Sequence, residues 1–335
     1  MDYAPFFDDV AQGPDGGVAY WKSTSDDVRV RLGYWGPESS AKTSGEKGAA
    51  TSKGTVFIFP GRTEYIEKYG RAAADLCARG YGTFAIDWRG QGLADRLVDD
   101  VRIGHVGTFT DYQLDVAAMV KLAGELDLPK PWFLIAHSMG GAIGLRSLME
   151  GLPVQAAAFS APMWGIGITA PMRPAAWAVS WGGSKVGLGH KASPGASLDS
   201  YVMVEPFEDN KLTTDADMYK YMQDQTGAHP ELGLGGPSLQ WVNTSLIETR
   251  DLAALPSPSV PTLTFLGSDE RIVDTARVHK RMDNWPSGKL ELIAAAQHEV
   301  LMEKPVIRAQ IFDQSVALFD HHSNDSLNTR SSISA

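Results

Sequence analysis

Short apolar runs alternate with stretches of helical spacing along most of the chain. The apolar runs predict strands, and they cover residues 55–59, 81–86, 132–136, 154–159, 261–267 and 289–293. The stretches between and after them predict helices, and they cover residues 65–76, 110–126, 142–149, 274–284 and 303–319. Ahead of them, residues 18–21 and 28–34 alternate apolar and polar positions, which predicts an antiparallel hairpin. The whole pattern is typical of an α/β protein with a mostly parallel sheet and helices on both faces.

The alternation stops in the middle of the chain. Residues 163–252 are rich in Trp, Met, Tyr and Gly and lack strand–helix alternation, which predicts a mostly helical cap inserted into the core. The core is then formed by residues 1–162 and 253–320. The Ser/Gly/Lys-rich stretch 37–54 predicts an exposed loop, and the polar residues 321–335 predict a disordered tail.

One serine stands where a predicted strand turns into a predicted helix. Ser138 follows the apolar run that ends at Ala136, and a helical pattern begins at Ala142. A serine in such a sharp, strained turn is typical of a nucleophile elbow, which needs small residues two positions to either side. Here Ala136 and Gly140 fill those positions. The alternative interpretation is an ordinary strand–turn–helix with a capping serine.

A nucleophilic serine needs a base, and the base needs an acid to orient it. His298 follows the predicted strand 289–293, and Asp269 and Glu270 both follow the strand that ends at Gly267. The carboxyl ends of parallel strands share one edge of a sheet, where such sheets place their sites. The sequence therefore predicts a Ser-acid-His triad with either Asp269 or Glu270 as the acid. The side chain of His137 is expected to point away from that of Ser138.

The developing charge on the substrate carbonyl also needs two N–H donors. Met139, directly after the nucleophile, supplies one predicted donor. Arg62 supplies the other, because Gly61 lets the backbone approach closely after the strand 55–59. The alternative is that Pro60 and Gly61 form a plain turn.

Composition narrows the class of protein. The chain has 335 residues, 43% of them hydrophobic and 21% charged, which is ordinary for a globular protein. Its net charge of −10, without a basic block, argues against nucleic acid as a partner and gives no attraction to anionic membranes. The single cysteine, Cys77, excludes an intrachain disulfide. The N-terminus lacks the features of a signal peptide, so we expect a cytoplasmic protein.

Five motifs carry a family resemblance: PGRTEYIEKYG (60–70), DWRGQG (87–92), AHSMGG (136–141), GSDERIVD (267–274) and QHEVLMEKP (297–305). Over about residues 18–319 the chain resembles the lysophospholipase L2 and monoacylglycerol lipase branch of the α/β-hydrolases. The resemblance implies a serine esterase that acts on a monoacyl glycerolipid. The family's acid pattern, G-x-x-D/E-x-x-V, places Glu270 at the acid position and leaves Asp269 as the alternative. Two departures are Pro60 in place of the family's histidine and Ala136 in place of its first elbow glycine.

The resemblance also implies that the cap forms an acyl-chain pocket. Candidate substrate-binding residues are Gly61, Met163, Trp164, Trp177, Phe207 and Trp241. The expected mechanism needs no metal and no organic cofactor, and the apolar face of residues 163–181 is a candidate for peripheral membrane contact. The competing functions are hydrolysis of another acyl substrate (an ester, thioester or peptide) and a non-catalytic binding protein with the same fold.

Overall fold

The computed structural model describes residues 1–37 and 52–323. Most of the predicted loop 37–54 and of the predicted tail 321–335 lies outside these residues. Among the described residues, no helix combines the length and apolar character needed to cross a bilayer.

The described strands form one sheet in the spatial order β1-β2-β3-β5-β4-β6-β7-β8-β9. The strands are β1 (Tyr3–Ala4), β2 (Val18–Ser23), β3 (Arg29–Trp35), β4 (Thr55–Phe59), β5 (Gly82–Asp87), β6 (Trp132–His137), β7 (Ala157–Ser160), β8 (Thr262–Gly267) and β9 (Gly288–Ile293). β2 and β3 form the antiparallel hairpin predicted from their alternating residues. β3 pairs antiparallel with β5, and from β5 onward every neighbouring pair is parallel.

Helices cover both faces of this sheet. The described α-helices are α1 (Asp8–Ala11), α2 (Gly70–Cys77), α3 (Tyr112–Glu125), α4 (Met139–Met149), α5 (Arg173–Lys185), α6 (Tyr201–Val204), α7 (Ala216–Ala228), α8 (Leu239–Ala254), α9 (Thr275–Met282) and α10 (Pro305–His322). Because side chains alternate along a strand, Val56 and Ile58 of β4 pack with α2 and α10, whereas Phe57 and Phe59 pack with α3 and α4. Each face therefore has its own apolar core.

Residues 163–252 contribute α5 to α8 and no strand of the sheet. The segment is tied to the core beside β9. Lys211 and Leu212 accept backbone hydrogen bonds from His298 and Glu299, at 3.4 and 2.7 Å. Two of its helices, α5 and α8, also pack against each other.

Several predicted element ends differ from the structure by a few residues, and β7 and the last helix are two examples. β7 begins at Ala157 rather than at Val154, because the Val154 N–H bonds to the Leu152 carbonyl in a turn instead of joining a strand. Val154 is apolar because it is buried in the core, not because it lies in the sheet. The last helix continues through His322, so the first two residues of the predicted tail are helical.

Candidate active site

Ser138 occupies a strained turn between β6 and α4. Its backbone angles are φ 48° and ψ −116°, a conformation that side-chain-bearing residues rarely adopt. Gly140 lies against the chain just after β4: a Cβ there would stand 2.1 Å from the Phe59 carbonyl oxygen and 2.5 Å from that of Pro60. A glycine is therefore required two positions after the serine.

The methyl group of Ala136 fits in the other flanking position. It lies on β6 opposite Phe59 of β4, and a Cβ added at Gly144 in the following helix would come within 3.2 Å of it. Glycine in that helix leaves the room that the alanine methyl needs. The A-x-S-x-G variant of the elbow thus fits without displacing the helix.

Ser138, His298 and Glu270 form one chain of contacts. His298 Nε2 lies 2.9 Å from Ser138 Oγ, and His298 Nδ1 lies 2.7 Å from Glu270 Oε2. All three follow the carboxyl ends of strands, β6 for the serine, β8 for the glutamate and β9 for the histidine. The order serine, then base, then acid is what an activated nucleophile requires.

Glu270, not Asp269, reaches the histidine. Asp269 is exposed, and its carboxylate accepts a hydrogen bond from the hydroxyl group of Ser268. The other carboxylate oxygen of Glu270 accepts the N–H groups of Ile272 and Val273, at 2.5 and 3.1 Å. Burial raises the pKa of Glu270, but the bond from His298 and these N–H groups outweigh it, so its pKa lies below the ordinary value. The carboxylate is thereby kept ionised beside the imidazole.

Two backbone N–H groups are free to serve as oxyanion donors. Neither the Arg62 N–H nor the Met139 N–H has an acceptor in the described part of the chain. Met139 is the first residue of α4, where the helix itself offers no partner. The neighbouring Gly61 N–H is already occupied, because it donates to Glu64 Oε2 at 2.5 Å.

A buried ionic cluster that sequence reasoning missed lies directly beside His298. Lys68 Nζ bonds to Glu64 Oε1 and Glu299 Oε1, at 2.6 Å each. The His137 ring lies 4.8 Å from the ring of His298, and its Nε2 is 3.3 Å from Glu299 Oε2. Glu64 and Lys68 are four residues apart, a spacing that more often marks an exposed ion pair on a helix. The one sequence signal for the buried cluster was the position of Glu299 directly after the predicted base.

The charges of this cluster compensate one another. Burial lowers the pKa of His137, but the carboxylates of Glu299 and Glu64 outweigh it and raise the pKa above its ordinary value. Burial raises the pKa of Glu299, but His137 and Lys68 hold it well below the usual range. Nδ1 of His137 bonds with the Ser160 carbonyl oxygen at 3.0 Å, which fixes the ring in place.

The same cluster contains the described residues best placed to hold a metal ion. Ligand atoms of Glu64, His137 and Glu299 all lie within 4.8 Å of one another. The Lys68 ammonium, however, donates to both carboxylates and so takes the place that a cation would occupy. This donor set favours a structural ion-pair network over a metal centre.

Ser138 opens into a cavity of about 280 Å³. Met163 and Trp241 line it, together with residues that were not predicted, among them Ile166, Val202, Leu212, Met222, Ile272 and Val273. The other candidates lie elsewhere. Trp164 is buried and donates to the Gly141 carbonyl, and Trp177 lines a separate cavity with Arg173 and Arg250. Phe207 packs on Tyr219, and neither Phe207 nor Gly61 is among the residues that line the cavity.

The placement of the tryptophans and Phe207 has a physical reason. Large aromatic residues in an insertion also form the insertion's own contacts with the core. Trp164 packs on Phe159 and Trp285 in just this way. Composition alone does not separate such packing residues from those that face the cavity.

Comparison with known proteins places the chain in a family. The family model described as serine aminopeptidase, S33, matches residues 50–305. Lysophospholipase L2 of Escherichia coli strain K12 is 33% identical over 297 residues, which cover 83% of this chain and 84% of that protein. The probable lysophospholipase L2 of Haemophilus influenzae is 29% identical over 258 residues, which cover 76% and 80%.

Solved structures share the fold at lower identity. A monoglyceride lipase variant from Saccharomyces cerevisiae, bound to a substrate analog, superposes with a TM-score of 0.66 at 19% identity, covering 96% of this chain and 95% of that one. A carboxyl esterase from Bacillus coagulans superposes with a TM-score of 0.69 at 13% identity, covering 92% and 99%. With the family match, these comparisons identify the chain as an α/β-hydrolase of the S33 serine hydrolase family, in the branch that includes the bacterial lysophospholipase L2 proteins.

Proposed function

We propose that this enzyme is a serine esterase that releases the fatty acid from a lysophospholipid or a monoacylglycerol. The observation that carries the proposal is the contact between Ser138 Oγ and His298 Nε2 at the floor of a largely apolar cavity. The matched relatives in Escherichia coli and Haemophilus influenzae, named as lysophospholipases, support the same substrate class.

The proposed reaction proceeds in two steps through an acyl-enzyme. His298 Nε2 takes the proton of Ser138 Oγ as the oxygen attacks the ester carbonyl, and Glu270 stabilises the resulting imidazolium. The N–H groups of Arg62 and Met139 donate to the oxyanion. His298 then protonates the departing glycerol oxygen, and a water that His298 deprotonates releases the fatty acid.

We assign the acyl chain to the apolar part of the cavity. Met163 and Met222 come from the 163–252 segment, which we propose acts as a cap over the nucleophile. Ile272 and Val273 complete the wall from the core side. Apolar lining with a few polar groups at the reacting end is the usual character of such a ligand site.

Peptide hydrolysis is the alternative that the family description raises. An aminopeptidase needs carboxylates to bind the substrate's free ammonium group. The acids that line the cavity are Glu64 and Glu299, and both are bonded to Lys68. This arrangement favours an uncharged acyl chain over a charged amino terminus.

A substrate panel tests the proposal. Wild-type enzyme and Ser138→Ala would be compared on lysophosphatidylcholine, lysophosphatidylethanolamine, monoacylglycerol, an aminoacyl p-nitroanilide and p-nitrophenyl esters of increasing chain length. We expect serine-dependent release of long acyl chains from the glycerolipids. Turnover of only the anilide or the short activated esters would overturn the lipid assignment while leaving the triad in place.

We further propose that the cap touches the surface of a membrane. Large apolar side chains on α5 and directly before and after it are exposed to solvent, among them Met172, Trp181 and Val186, which are 59%, 56% and 70% exposed. Several exposed apolar side chains close together on one surface can insert into the interface of a lipid bilayer, where the proposed substrate resides. The cytoplasmic location remains a prediction from the sequence.

A further inference from the structure

The guanidinium group of Arg62 lacks the counterion that the protein gives to its two most deeply buried arginines, Arg31 and Arg89. Arg31 is fully buried and pairs with Glu67 and Asp87. Arg89 is 2% exposed and pairs with Asp26 and Asp115. Arg62 is half-buried, yet no carboxylate of the described residues lies within 4.0 Å of its guanidinium nitrogens.

Arg62 is also poorly supplied with neutral acceptors. Its side chain donates one described hydrogen bond, from Nη1 to the Gly235 carbonyl oxygen at 2.8 Å, and an arginine has five N–H donors. The guanidinium carbon lies 5.5 Å from the centre of the Trp241 ring, within cation–π range, but the ring neutralises no charge and offers no carboxylate to accept the remaining N–H groups. Burial without a carboxylate lowers the pKa of Arg62 to about 10. A cation in this setting gains stability from a bound anion.

Arg62 is part of the wall of the cavity that contains the nucleophile. Arg62 and Trp241 line the same cavity as Ser138 and His298. The backbone N–H of Arg62 is one of the two proposed oxyanion donors, so its side chain begins next to the place of the ester carbonyl. In a lysophospholipid, the phosphate is joined to that ester through the short glycerol backbone. One residue is thus placed to contact both groups.

Bracing of the loop at residues 233–238 does not account for Arg62. That loop is already fastened by backbone bonds: Gly235 to the Arg102 carbonyl, Gly236 to the Ser197 carbonyl, and Gly104 to the Gly236 carbonyl. Arg281, another arginine without a carboxylate, bonds to the carbonyls of Leu252 and Leu255 near the end of α8. Arg62 has no comparable set of acceptors among the described residues.

We propose that Arg62 binds the phosphate of the substrate head group and so makes the enzyme prefer lysophospholipids over monoacylglycerols. The inference rests on the proposed esterase function and names its substrate class. The planar guanidinium offers paired donors that match the geometry of phosphate oxygens. A neutral glycerol head group presents no charge to this site.

Paired kinetics with two substrates test the proposal. We expect Arg62→Met to lower kcat/KM for lysophosphatidylcholine at least about tenfold more than for a monoacylglycerol of the same acyl chain, since a charge-assisted hydrogen bond is lost. Arg62→Lys, which keeps the charge without the fork, should recover part of the difference. An equal fall for both substrates in Arg62→Met would overturn the proposal, because it would indicate a role in positioning the backbone N–H alone.

A matched control is Arg96→Met. Arg96 is also half-buried and bonds to two backbone carbonyls, of Gly90 and Glu231, but it does not line the cavity. Its replacement should leave the ratio of the two kcat/KM values as in the wild type. A change in the ratio as large as that of Arg62→Met would contradict a specific phosphate contact.

A second measurement is independent of lipid turnover. Glycerophosphocholine, the deacylated head group, should compete with hydrolysis of p-nitrophenyl butyrate by the wild type, and its inhibition constant should rise at least about tenfold in Arg62→Met. If glycerophosphocholine competes but the enzyme hydrolyses no lipid, the phosphate site is retained and the proposed function is rejected. Lipid hydrolysis with no effect of Arg62→Met on the inhibition constant would reject the site and retain the function.

Discussion

At the scale of single residues, Glu270 and Asp269 are neighbours in the chain with different surroundings. The side chain of Glu270 is fully buried and reaches His298, whereas Asp269 is exposed. The motif count favoured Glu270, but residue type alone favoured neither acid. The direction of a side chain at the end of β8 depends on local backbone angles that a sequence pattern does not specify.

This difference predicts the outcome of one pair of substitutions. Glu270→Gln should lower kcat by about a thousandfold or more, since the amide can neither orient His298 in the reactive tautomer nor stabilise its charge. Asp269→Asn should change kcat less than about threefold, because its side chain does not contact the histidine. Steady-state kinetics on one activated ester measure both. A larger loss for Asp269→Asn than for Glu270→Gln would contradict the assignment.

Gly140, two positions after the nucleophile, allows a second prediction at the scale of single residues. Gly140→Ala should lower kcat at least about a hundredfold, because the new Cβ would push the elbow away from the carbonyls of Phe59 and Pro60 and displace the oxyanion donors. Gly124→Ala in α3 is the control, since a Cβ there meets no atom within 4 Å. The control should retain activity and gain up to about 1 kcal/mol of stability. Wild-type activity in Gly140→Ala would contradict the close approach of the elbow to these carbonyls.

At the scale of elements, apolar periodicity predicted the strands, their parallel pairing and the helices between them. Charged residues inside these elements were less predictable. Glu64 and Lys68 lie in the segment after β4, and Glu299 lies far along the chain, after β9. The pair meets Glu299 only when β4 and β9 take their places in the sheet. A sequence pattern describes local exposure, so it does not reveal a buried ion pair between distant segments.

The buried cluster predicts a large effect on stability. Lys68→Met should lower the free energy of unfolding by about 3 kcal/mol, because two buried carboxylates would lose their shared counterion. The lowered pKa of Glu299 means that its carboxylate stabilises the fold above pH 4.5, and that this contribution is lost as the pH falls through the folded value. Denaturant unfolding at pH 7 therefore measures the ionised cluster.

Lys220→Met is the matched control for this measurement. Lys220 also pairs with a carboxylate four residues away, Asp224, but both side chains are exposed. Its replacement should cost less than about 0.5 kcal/mol. Equal losses in the two variants would show that burial of the cluster adds nothing to its strength.

At the scale of the whole molecule, the sequence predicted an insertion but not which of its aromatic residues face the site. Trp164, Trp177 and Trp241 are equal candidates by residue type and by their place in the segment 163–252. Of the three, Trp241 alone lines the cavity with Ser138. The difference depends on how α5 and α8 pack against each other and against the core. Packing between two segments leaves no periodic pattern of residues in the sequence from which it could be predicted.

The exposed apolar residues of the proposed cap lead to a prediction about lipid binding. Trp181→Asp should weaken sedimentation with phosphatidylcholine vesicles severalfold, because the indole is 56% exposed on α5. Val306→Asp is the control: Val306 is 76% exposed, but it lies on α10 of the core. Because the protein carries a net charge of −10, it should bind anionic vesicles no better than neutral ones. Equal losses in the two variants would contradict a membrane-facing cap.

The central claim is that Ser138 is an activated nucleophile, and labelling with a fluorophosphonate probe tests it most directly. The probe should modify the folded wild-type protein on the peptide that contains Ser138, as located by mass spectrometry, and should leave Ser138→Ala unlabelled. Absence of label on the folded wild type, or label on another serine in both proteins, would contradict the account and favour a non-catalytic binding protein.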